Sequence, residues 1–464
     1  PKIVNNHKNF QKGFKYRSMN NSISFDFQFS NFYCNSYSFD EFTSTYSFDV
    51  ISNKKTSDII CPRCGAKVHV YDSSTVHLKD MPLRADTSSI LKVHLHRYRC
   101  TSCKVSFSEE IPFKHPGSRV TERLSGFIKS FLKHHMSIKD IAAITGVHWE
   151  TISKIHKQYM EELLEERATE LSLENYHPRY LAVDEFAIHK GHTYATCVMD
   201  IERGDVLWAG KGRAINDFIK FFQEIPVDYL SDVEAVAMDM NASYNRLVEE
   251  NLPNAEIVYD RYHFQAQYGK DVLGSVRLEE ARIHQERATQ IKEILKDDMP
   301  NDERNELKRL AKVESSLYSK LKRARWTLLK NGTNLEEDNI DKLKGILENH
   351  SNLAVCYAMK EEMIRLYGLT DVKEARDGWL CWFEAAKQSG IPQLQKFAKL
   401  KEKRLPGLIA HAQHNISTGK LEGFNNKIKV AKRIGYGYRN DEHFFTMIKY
   451  LSLPATRNQS PRNP

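Results

Sequence analysis

The sequence has no apolar run long enough to cross a membrane, since no window approaches the roughly 18 consecutive apolar residues of a spanning helix. Its N-terminus lacks the basic, then apolar, then small-residue order of a secretory signal. Hydrophobic residues make up 41% and charged residues 28% of the 464 residues, as in ordinary globular proteins. We therefore expect a cytoplasmic protein without a membrane partner. A chain of 464 residues is longer than one hydrophobic core usually organises, so we expect three or more structural units.

Residues 1–55 lack a recognisable pairing pattern, although they are rich in Ser, Asn, Phe and Tyr. Ser22 to Phe29 alternate as a strand would, but no turn and partner strand follow. We expect a weakly ordered segment here. The chain begins with Pro1, and Met19 is a candidate natural start.

Only four of the eight cysteines have an informative spacing. Two C-x-x-C pairs flank a segment, Ile90 to Tyr98, whose period-two alternation predicts a strand. Four thiolates complete a tetrahedral site and leave no position for water, so we predict one structural Zn²⁺ in a zinc ribbon over residues 56–112. The alternative is a thioredoxin-like redox pair. The presence of two C-x-x-C pairs at this separation disfavours that alternative. The predicted zinc ligands are Cys61, Cys64, Cys100 and Cys103, whereas Cys34, Cys197, Cys356 and Cys381 are interpreted as free thiols.

A helix-turn-helix pattern follows within residues 113–175. One predicted helix ends at Gly146, which suits a tight turn, and Val147 introduces the next. Any two amphipathic helices joined at a glycine give this pattern, but its place directly after a zinc ribbon favours a DNA-binding domain. The predicted inter-helix core is Ile141, Val147, Ile152 and Ile155, and the predicted DNA-contacting face contains Trp149, Glu150, Thr151, Ser153 and Lys154.

Positive charge is concentrated near the C-terminus. Residues 401–464 contain twelve Lys or Arg and four Asp or Glu, in a chain of net charge +8. Such a local excess suits a polyanion such as DNA. On charge alone, a solvated basic tail is the alternative.

Residues 178–265 change to short apolar runs separated by turns and helical stretches. Three strands, a helix, a strand, a helix and a strand are the order of an RNase H-like α/β sheet. Residues 266–404 have helical patterns throughout, which predicts an all-helical insertion before the last part of the core, residues 405–452, and a tail, 453–464. The predicted strands are 180–183, 193–199, 205–209, 233–238 and 255–259, with helices over 214–225 and 243–251.

Two predicted strands end on aspartates, Asp184 and Asp239, and those strands are neighbours in an RNase H-like sheet. Two-metal phosphoryl-transfer sites need several carboxylates that converge on hard divalent cations about 3.5–4 Å apart. Glu422, on a predicted polar helix, fits as the third carboxylate. Helical spacing places DNA-binding candidates on the same helix, namely Asn426, Lys429, Lys432 and Arg433.

Other acidic residues compete for these roles, because a chain with 60 of them places some at strand ends by chance. The competitors are Glu185, Asp200 and Asp260. Asp260, together with His263, is expected to border the site.

In this order, these motifs resemble bacterial insertion-sequence DDE transposases of the ISL-three family. The similarity runs from about residue 58 to 450 and is most specific from Glu422 to Lys429, with Lys432-Arg433 and residues 435–440 following. The resemblance implies that Asp184, Asp239 and Glu422 form a catalytic triad that binds two Mg²⁺ or Mn²⁺ ions. Thr418 departs from the family, which more often has Asn there.

The implied reaction is DNA cleavage and strand transfer by in-line attack of water, and later of a DNA 3′-hydroxyl. The implied partners are the element's terminal inverted repeats and target DNA. A homo-oligomer assembled on DNA and association with the nucleoid are expected. The alternatives are a non-enzymatic DNA-binding regulator derived from a transposase, an RNase H-like nuclease without strand transfer, and a serine or tyrosine recombinase. A serine or tyrosine recombinase would need a nucleophilic hydroxyl beside a cluster of arginines. Tyr436 and Tyr438 lie in a basic stretch, but the sequence has no clustered-arginine motif there.

Overall fold

The computed structural model describes residues 29, 31–134, 136–189, 193–296, 299–434 and 440–457. These residues divide into two compact units. The first comprises the described residues of Pro1–Glu166 and Ala431–Arg439, and the second comprises those of Arg167–Val430 and Asn440–Arg457. In the described part of the chain, no helix has both the length and the apolar character needed to cross a membrane.

The first unit contains a five-stranded sheet in the order β1-β2-β4-β3, with β5 paired to β4. β1 and β2 are antiparallel, as are β3 and β4, whereas β2 and β4 are parallel. Alternate side chains, including Phe48, Leu78 and Leu91, are buried in its core. The strands are β1 (Phe32–Asp40), β2 (Thr45–Ser52), β3 (Val68–Asp80), β4 (Ser88–Cys100) and β5 (Ser106–Ser108).

The prediction of a weakly ordered segment over residues 1–55 was wrong for its second half. β1 and β2 form a hairpin whose turn is fixed by Asp40, which accepts a hydrogen bond from the Phe42 amide at 2.9 Å. Phe32, Tyr46 and Phe48 are buried, so apolar burial stabilises the hairpin. The boundary predicted at residue 55 therefore falls within one sheet. The alternating segment before Phe29 lies outside the described residues.

Three helices follow, α1 (Glu122–Lys133), α2 (Ile138–Thr145) and α3 (Trp149–Leu173). α2 ends at Gly146, whose φ of 62° lies in the left-handed region that glycine adopts without strain. The predicted inter-helix core is confirmed, because all four of its residues are buried in one cluster: Ile141, Val147, Ile152 and Ile155.

The second unit contains a sheet in the order β10-β9-β6-β7-β8. The central pairs β6/β9 and β9/β10 are parallel, whereas β6/β7 and β7/β8 are antiparallel. All five predicted strands and both predicted helices are present. They are β6 (Tyr180–His189), β7 (Thr193–Asp200), β8 (Val206–Lys211), α4 (Ile215–Glu224), β9 (Ala235–Met238), α5 (Ala242–Asn251) and β10 (Glu256–Tyr259).

Helices cover this sheet and form a second core beside it. α4 and α5 contribute Phe218, Phe221 and Leu247 to the core of the sheet. The helices after β10 share a second cluster of buried residues around Trp379 and Trp382, which also contains Tyr259 of β10. A π-helical turn, Gly269–Gly274, joins the first two of them. These helices are α6 (Arg261–Tyr268), α7 (Ser275–Ile294), α8 (Asn301–Arg323), α9 (Arg325–Leu329), α10 (Glu337–Asn349), α11 (Ser351–Leu366), α12 (Val372–Gln388) and α13 (Pro392–Lys401).

Four further helices complete the chain and return it to the sheet. Ala410 of the first of them packs against Ala235 of β9 and Val258 of β10. These helices are α14 (Leu405–Gln413), α15 (Gly419–Ile434), α16 (Asp441–Ser452) and α17 (Pro454–Arg457).

Candidate active site

Asp184 lies on β6, and Asp239 directly follows β9, the parallel neighbour of β6. The pairing of β6 with β9 runs from Tyr180 opposite Ala235 to Ala182 opposite Ala237. Asp184 and Asp239 each come two residues after the last of these pairs. One detail of the prediction was wrong: β6 does not end at Asp184, because its other edge pairs with β7 and carries the strand on to its last residue.

Glu422 lies in the first turn of α15, and Asn425 connects this helix to β6. The Asn425 amide Nδ2 donates a hydrogen bond to Asp184 Oδ2 at 2.8 Å. Asn425 is buried, and its Oδ1 has no hydrogen-bond partner among the described residues. Sequence reasoning missed Asn425, although its distance of three residues from Glu422 is a helical spacing. It selected Asn426 instead, which is exposed.

His263, on α6, lies between two of the predicted triad carboxylates. Its Nδ1 is 3.8 Å from Asp239 Oδ2, and its Nε2 is 3.8 Å from Glu422 Oε1. The ring thereby brings a carboxylate that follows β9 close to one on α15. The expectation that His263 borders the site agrees with these distances.

Asp260 holds two elements of the site in place. Its Oδ1 accepts hydrogen bonds from the amides of Tyr262 and His263 and so caps α6. Its Oδ2 accepts from the Thr418 amide at 3.1 Å and the Thr418 hydroxyl at 2.7 Å, just before α15 begins. Both carboxylate oxygens are therefore occupied, and the residue is buried.

The ligand atoms of Asp260, His263 and Glu422 all lie within 4.8 Å of one another. Within the described residues, Asp184, Asp239 and Glu422 do not meet this criterion as a set. The structure thus places His263 between Asp239 and Glu422 and connects Asp184 to the helix of Glu422 through Asn425, but it does not close the three carboxylates around a single point.

Asp184 and the other two acids are all half-buried. Desolvation raises the pKa of Asp184 to about 6, with the Glu422 carboxylate contributing in the same direction, whereas the Glu185 amide and His263 act against the rise. The Asp239 side chain is 47% exposed and that of Glu422 39%. A protonated Asp184 cannot ligate a cation as strongly as a carboxylate, so a cation bound here would favour its ionised form.

Of the competing acids, Glu185 lies near the triad, since burial first and the Asp239 carboxylate in addition raise its pKa, whereas Asp200 belongs to a turn. Glu185 Oε2 lies 4.0 Å from Arg213 Nη1. Asp200 is buried, and it accepts hydrogen bonds from the Tyr176 hydroxyl at 2.7 Å and the Glu202 amide at 2.8 Å. Asp200 therefore stabilises the turn that follows β7.

In the first unit, the four predicted zinc ligands converge. Their sulfur atoms lie within 4.8 Å of one another. The Cys61–Cys103, Cys64–Cys100 and Cys64–Cys103 pairs are separated by 3.6, 3.5 and 3.5 Å. Tetrahedral Zn–S bonds of about 2.3 Å imply sulfur separations of about 3.8 Å, and disulfides would require about 2.05 Å. The geometry therefore suits a tetrahedral metal and excludes disulfides between these pairs.

The chain is similar to transposases of known insertion sequences. The chain is 32% identical over 392 residues to the transposase for insertion sequence element IS1001 of Bordetella parapertussis, and the match covers 84% of this chain and 88% of that protein. It is 25% identical over 285 residues to the transposase for IS1557 of Mycobacterium tuberculosis, covering 61% and 62%. The family model for transposases of the ISL-three type matches residues 181–448. The chain belongs to the ISL-three family of DDE transposases.

Membership in this transposase family implies action on DNA and the use of divalent metal. Of the predicted DNA contacts in the first unit, Trp149 is 56% exposed and Lys154 is exposed, whereas Thr151 is half-buried. On α15, Asn426 and Lys429 are exposed, and Lys432 and Arg433 follow on the same helix. Tyr436 and Tyr438 lie outside the described residues.

Proposed function

We propose that Asp184, Asp239 and Glu422 are the carboxylates with which this transposase binds two Mg²⁺ or Mn²⁺ ions for DNA cleavage and strand transfer. The observation that carries this proposal is the Asn425–Asp184 hydrogen bond, which connects the helix of Glu422 to β6, combined with the parallel pairing of β6 and β9, after which Asp184 and Asp239 each follow by two residues.

The donor set fits hard divalent cations. It consists of carboxylate oxygens, and the buried Asn425 Oδ1, which lacks a partner among the described residues, adds an oxygen that can accept a hydrogen bond from water on a cation. When bound, two such cations polarise the scissile phosphate and activate the attacking water or 3′-hydroxyl. The role of Asn425 is to orient Asp184, and that of Asp260 is to fix α6 and the start of α15.

We assign Asp260 a positioning role instead of a ligand role. It belongs to the group with His263 and Glu422 that satisfies the distance criterion for a metal. However, its two oxygens already accept four hydrogen bonds from Tyr262, His263 and Thr418. A cation would have to replace these hydrogen bonds, and α6 and the start of α15 would then no longer be held in place by Asp260.

The proposed core is an RNase H-like fold, interrupted by the helical domain between β10 and α14. The strand order β10-β9-β6-β7-β8, with its one antiparallel half and one parallel half, supports this proposal. The cluster of buried residues that the helices after β10 form around Trp379 and Trp382 supports an inserted domain, which contacts the sheet through Tyr259 of β10.

We further propose that the four-cysteine site holds one structural Zn²⁺, and that this ribbon and the helix-turn-helix bind the element's terminal inverted repeats. Asn426, Lys429, Lys432 and Arg433 would then contact DNA phosphates near the active site. A homo-oligomer assembled on DNA, in the nucleoid, follows from the need to join two element ends to one target.

The test is a set of charge-neutral replacements in the purified full-length protein. Asp184→Asn, Asp239→Asn and Glu422→Gln should each abolish cleavage and strand transfer in Mg²⁺ while retaining binding to element ends. Glu185→Gln and the exposed Glu249→Gln of α5 are controls and should keep substantial activity. If Glu422→Gln transposes while Asp260→Asn does not, the third ligand is misassigned. If all three triad variants transpose, the proposed site is wrong.

A further inference from the structure

The helices after β10 carry a concentration of positive charge where α8 meets α9. Residues 315–335 contain five Lys or Arg and no Asp or Glu. All five cations are exposed, and within the described part of the chain no acidic side chain pairs with any of them. Positive charge that the protein itself leaves unneutralised attracts a polyanion. The five cations are Lys320, Lys322, Arg323, Arg325 and Lys330.

Four side chains at this junction follow one another at helical spacing, with aromatic and positively charged residues in alternation. A spacing of four residues places side chains one above the other on a helix. Ala324, between α8 and α9, keeps a right-handed helical conformation, so the row continues across the junction. Leu321 and Leu328 are buried on the opposite side. We call these four side chains the outer row: Tyr318, Lys322, Trp326 and Lys330.

The outer row has the length and the chemistry of a contact with duplex DNA. From its first to its last member it rises about 18 Å, which is the length of about five base pairs. Trp326 is 68% exposed, and the Arg325 guanidinium lies over its ring at 5.2 Å. Lys322 Nζ lies 5.2 Å from the centre of the Tyr318 ring. Cations that can bind phosphate oxygens therefore alternate with rings that can pack against deoxyribose.

Two buried cations from neighbouring helices hold this junction in place. Arg277 Nη1 of α7 donates to two carbonyls at the end of α8, at 2.9 Å each. Lys360 Nζ of α11 donates to two carbonyls at the end of α9, at 3.0 and 2.6 Å. Burial lowers the pKa of Arg277, and the nearby Arg325 lowers it further. The backbone that carries the outer row is therefore fixed, and Arg277 adds to its positive charge.

The junction also packs on the π-helical turn that follows α6. Leu329 of α9 lies directly on Gly269, the first residue of that turn, where a Cβ would clash with it. Gly269 comes six residues after His263, which corresponds to about 9 Å of helix rise. One helix-packing distance of about 8–10 Å then separates α9 from that stretch. The outer row is thus within about 20 Å, or about six base pairs, of the proposed active site.

We propose that the outer row binds the sugar-phosphate backbone of the donor DNA that flanks the element, a few base pairs beyond the reacting phosphate. This inference rests on the proposed active site, which sets that distance. Contacts to phosphate and sugar carry no sequence information, and flanking DNA differs in sequence at every insertion. The terminal repeat has a fixed sequence, which the ribbon and the helix-turn-helix are proposed to read. Target DNA also varies, but at cleavage only the flank is covalently joined to the element's end.

The test measures the affinity that flanking DNA adds. Full-length protein is titrated in Ca²⁺, which supports binding better than turnover, with element-end duplexes that have no flank or flanks of about 4, 8 or 12 base pairs, in two unrelated flank sequences. We expect the wild-type dissociation constant to fall at least roughly fivefold from the bare end to the longest flank, equally for both sequences.

Lys322→Ala combined with Lys330→Ala should lose most of this gain while keeping the wild-type affinity for the bare end. On flanked duplexes, the slope of the logarithm of the binding constant against the logarithm of the salt concentration should become shallower by about two released counterions. Trp326→Ala should also reduce the gain. Cleavage of flanked ends should slow in the double-alanine protein, whereas strand transfer by pre-cut ends, which have no flank, should keep its wild-type rate.

Two further double variants are the controls. Lys322→Arg combined with Lys330→Arg keeps both charges and should keep the gain. Lys308→Ala combined with Lys312→Ala removes the same charge from exposed positions of α8 outside the outer row, and it should also keep the gain.

The inference is overturned if flanking DNA adds no affinity to the wild-type protein, or if the double-alanine protein keeps the gain. Equal losses with the bare end would make the terminal repeat the partner, and slower strand transfer by pre-cut ends with an intact gain would make it the target DNA; either result also overturns the inference. These readouts are independent of the triad. Inactive triad variants beside an unchanged gain would refute the flank surface alone. Active triad variants beside a lost gain would refute the proposed ligands alone.

Discussion

The amide nitrogen of Asn425 donates a hydrogen bond to the carboxylate of Asp184 across 2.8 Å, joining a helix and a strand that are 241 residues apart in sequence. This bond fixes the orientation of an aspartate that is half-buried and whose pKa is raised to about 6 by desolvation. It also sets the depth at which α15, and with it Glu422, meets the sheet. Asn425 therefore supports two proposed metal ligands at once.

Replacing Asn425 should weaken metal use without weakening binding of element ends. Asn425→Ala removes a donor to Asp184 and an oxygen near the proposed cations, and changes of this kind typically cost about 10–100-fold in metal affinity or activity. The measurement is the Mg²⁺ concentration that gives half-maximal cleavage, which should rise. In the adjacent exposed Asn426→Ala, DNA affinity should fall while that concentration stays constant. Equal Mg²⁺ dependence in both variants would contradict the role of Asn425.

Thr418 should tolerate replacement only by residues that donate to Asp260. Thr418→Val keeps the shape but leaves Asp260 Oδ2 without its hydroxyl donor, at an expected cost of about 1–3 kcal/mol in the free energy of unfolding. Cleavage should fall as well, because the start of α15 is then less well fixed. Urea unfolding and cleavage rates measure the two effects.

Thr418→Ser and Thr418→Asn serve as controls for that loss. Both offer a donor, and Asn is the residue that the family more often has at this position, so both should retain most of the activity and stability. If Thr418→Asn is as impaired as Thr418→Val, the hydrogen bond to Asp260 is not what the site requires.

Short apolar runs bounded by turns were sufficient to predict β6 and β9, because a strand that is buried on both faces, as β9 is, has a continuous apolar sequence. The role of the two aspartates stays a prediction. Such local patterns were not sufficient for Asn425. Whether the third or the fourth residue after Glu422 faces the sheet depends on how α15 docks, which no local pattern encodes. The hydrogen bond between Thr418 and Asp260 joins residues that are 158 positions apart, so no local pattern predicts it either. The β1–β2 hairpin was missed because its connecting residues, 41–44, include no Gly, Pro or Asn, which are the usual signals of a hairpin turn.

The four cysteines should bind one zinc ion per chain, and loss of this ion should unfold the ribbon. Cys61→Ser together with Cys100→Ser removes one thiolate from each pair, so metal analysis should find no zinc. Binding to element ends should then fall, whereas the triad should remain folded. Cys381→Ser, at an exposed cysteine outside the cluster, should keep full zinc. Zinc retained in the double variant would refute the site.

The helix-turn-helix should recognise the element's ends through the first turns of α3. Thr151→Ala combined with Lys154→Ala removes a hydroxyl and a positive charge near the exposed Trp149, while the core residues Ile152 and Ile155 stay in place. Footprints on the ends should weaken, and cleavage of pre-assembled or pre-cut DNA should change less. If Lys154 contacts a phosphate, the slope of the logarithm of the binding constant against the logarithm of the salt concentration should also become shallower, by about one released counterion. Lys308→Ala, which removes an exposed charge on α8, controls for net charge and should leave the footprints unchanged. Unchanged footprints in the double variant would place end recognition elsewhere in the chain.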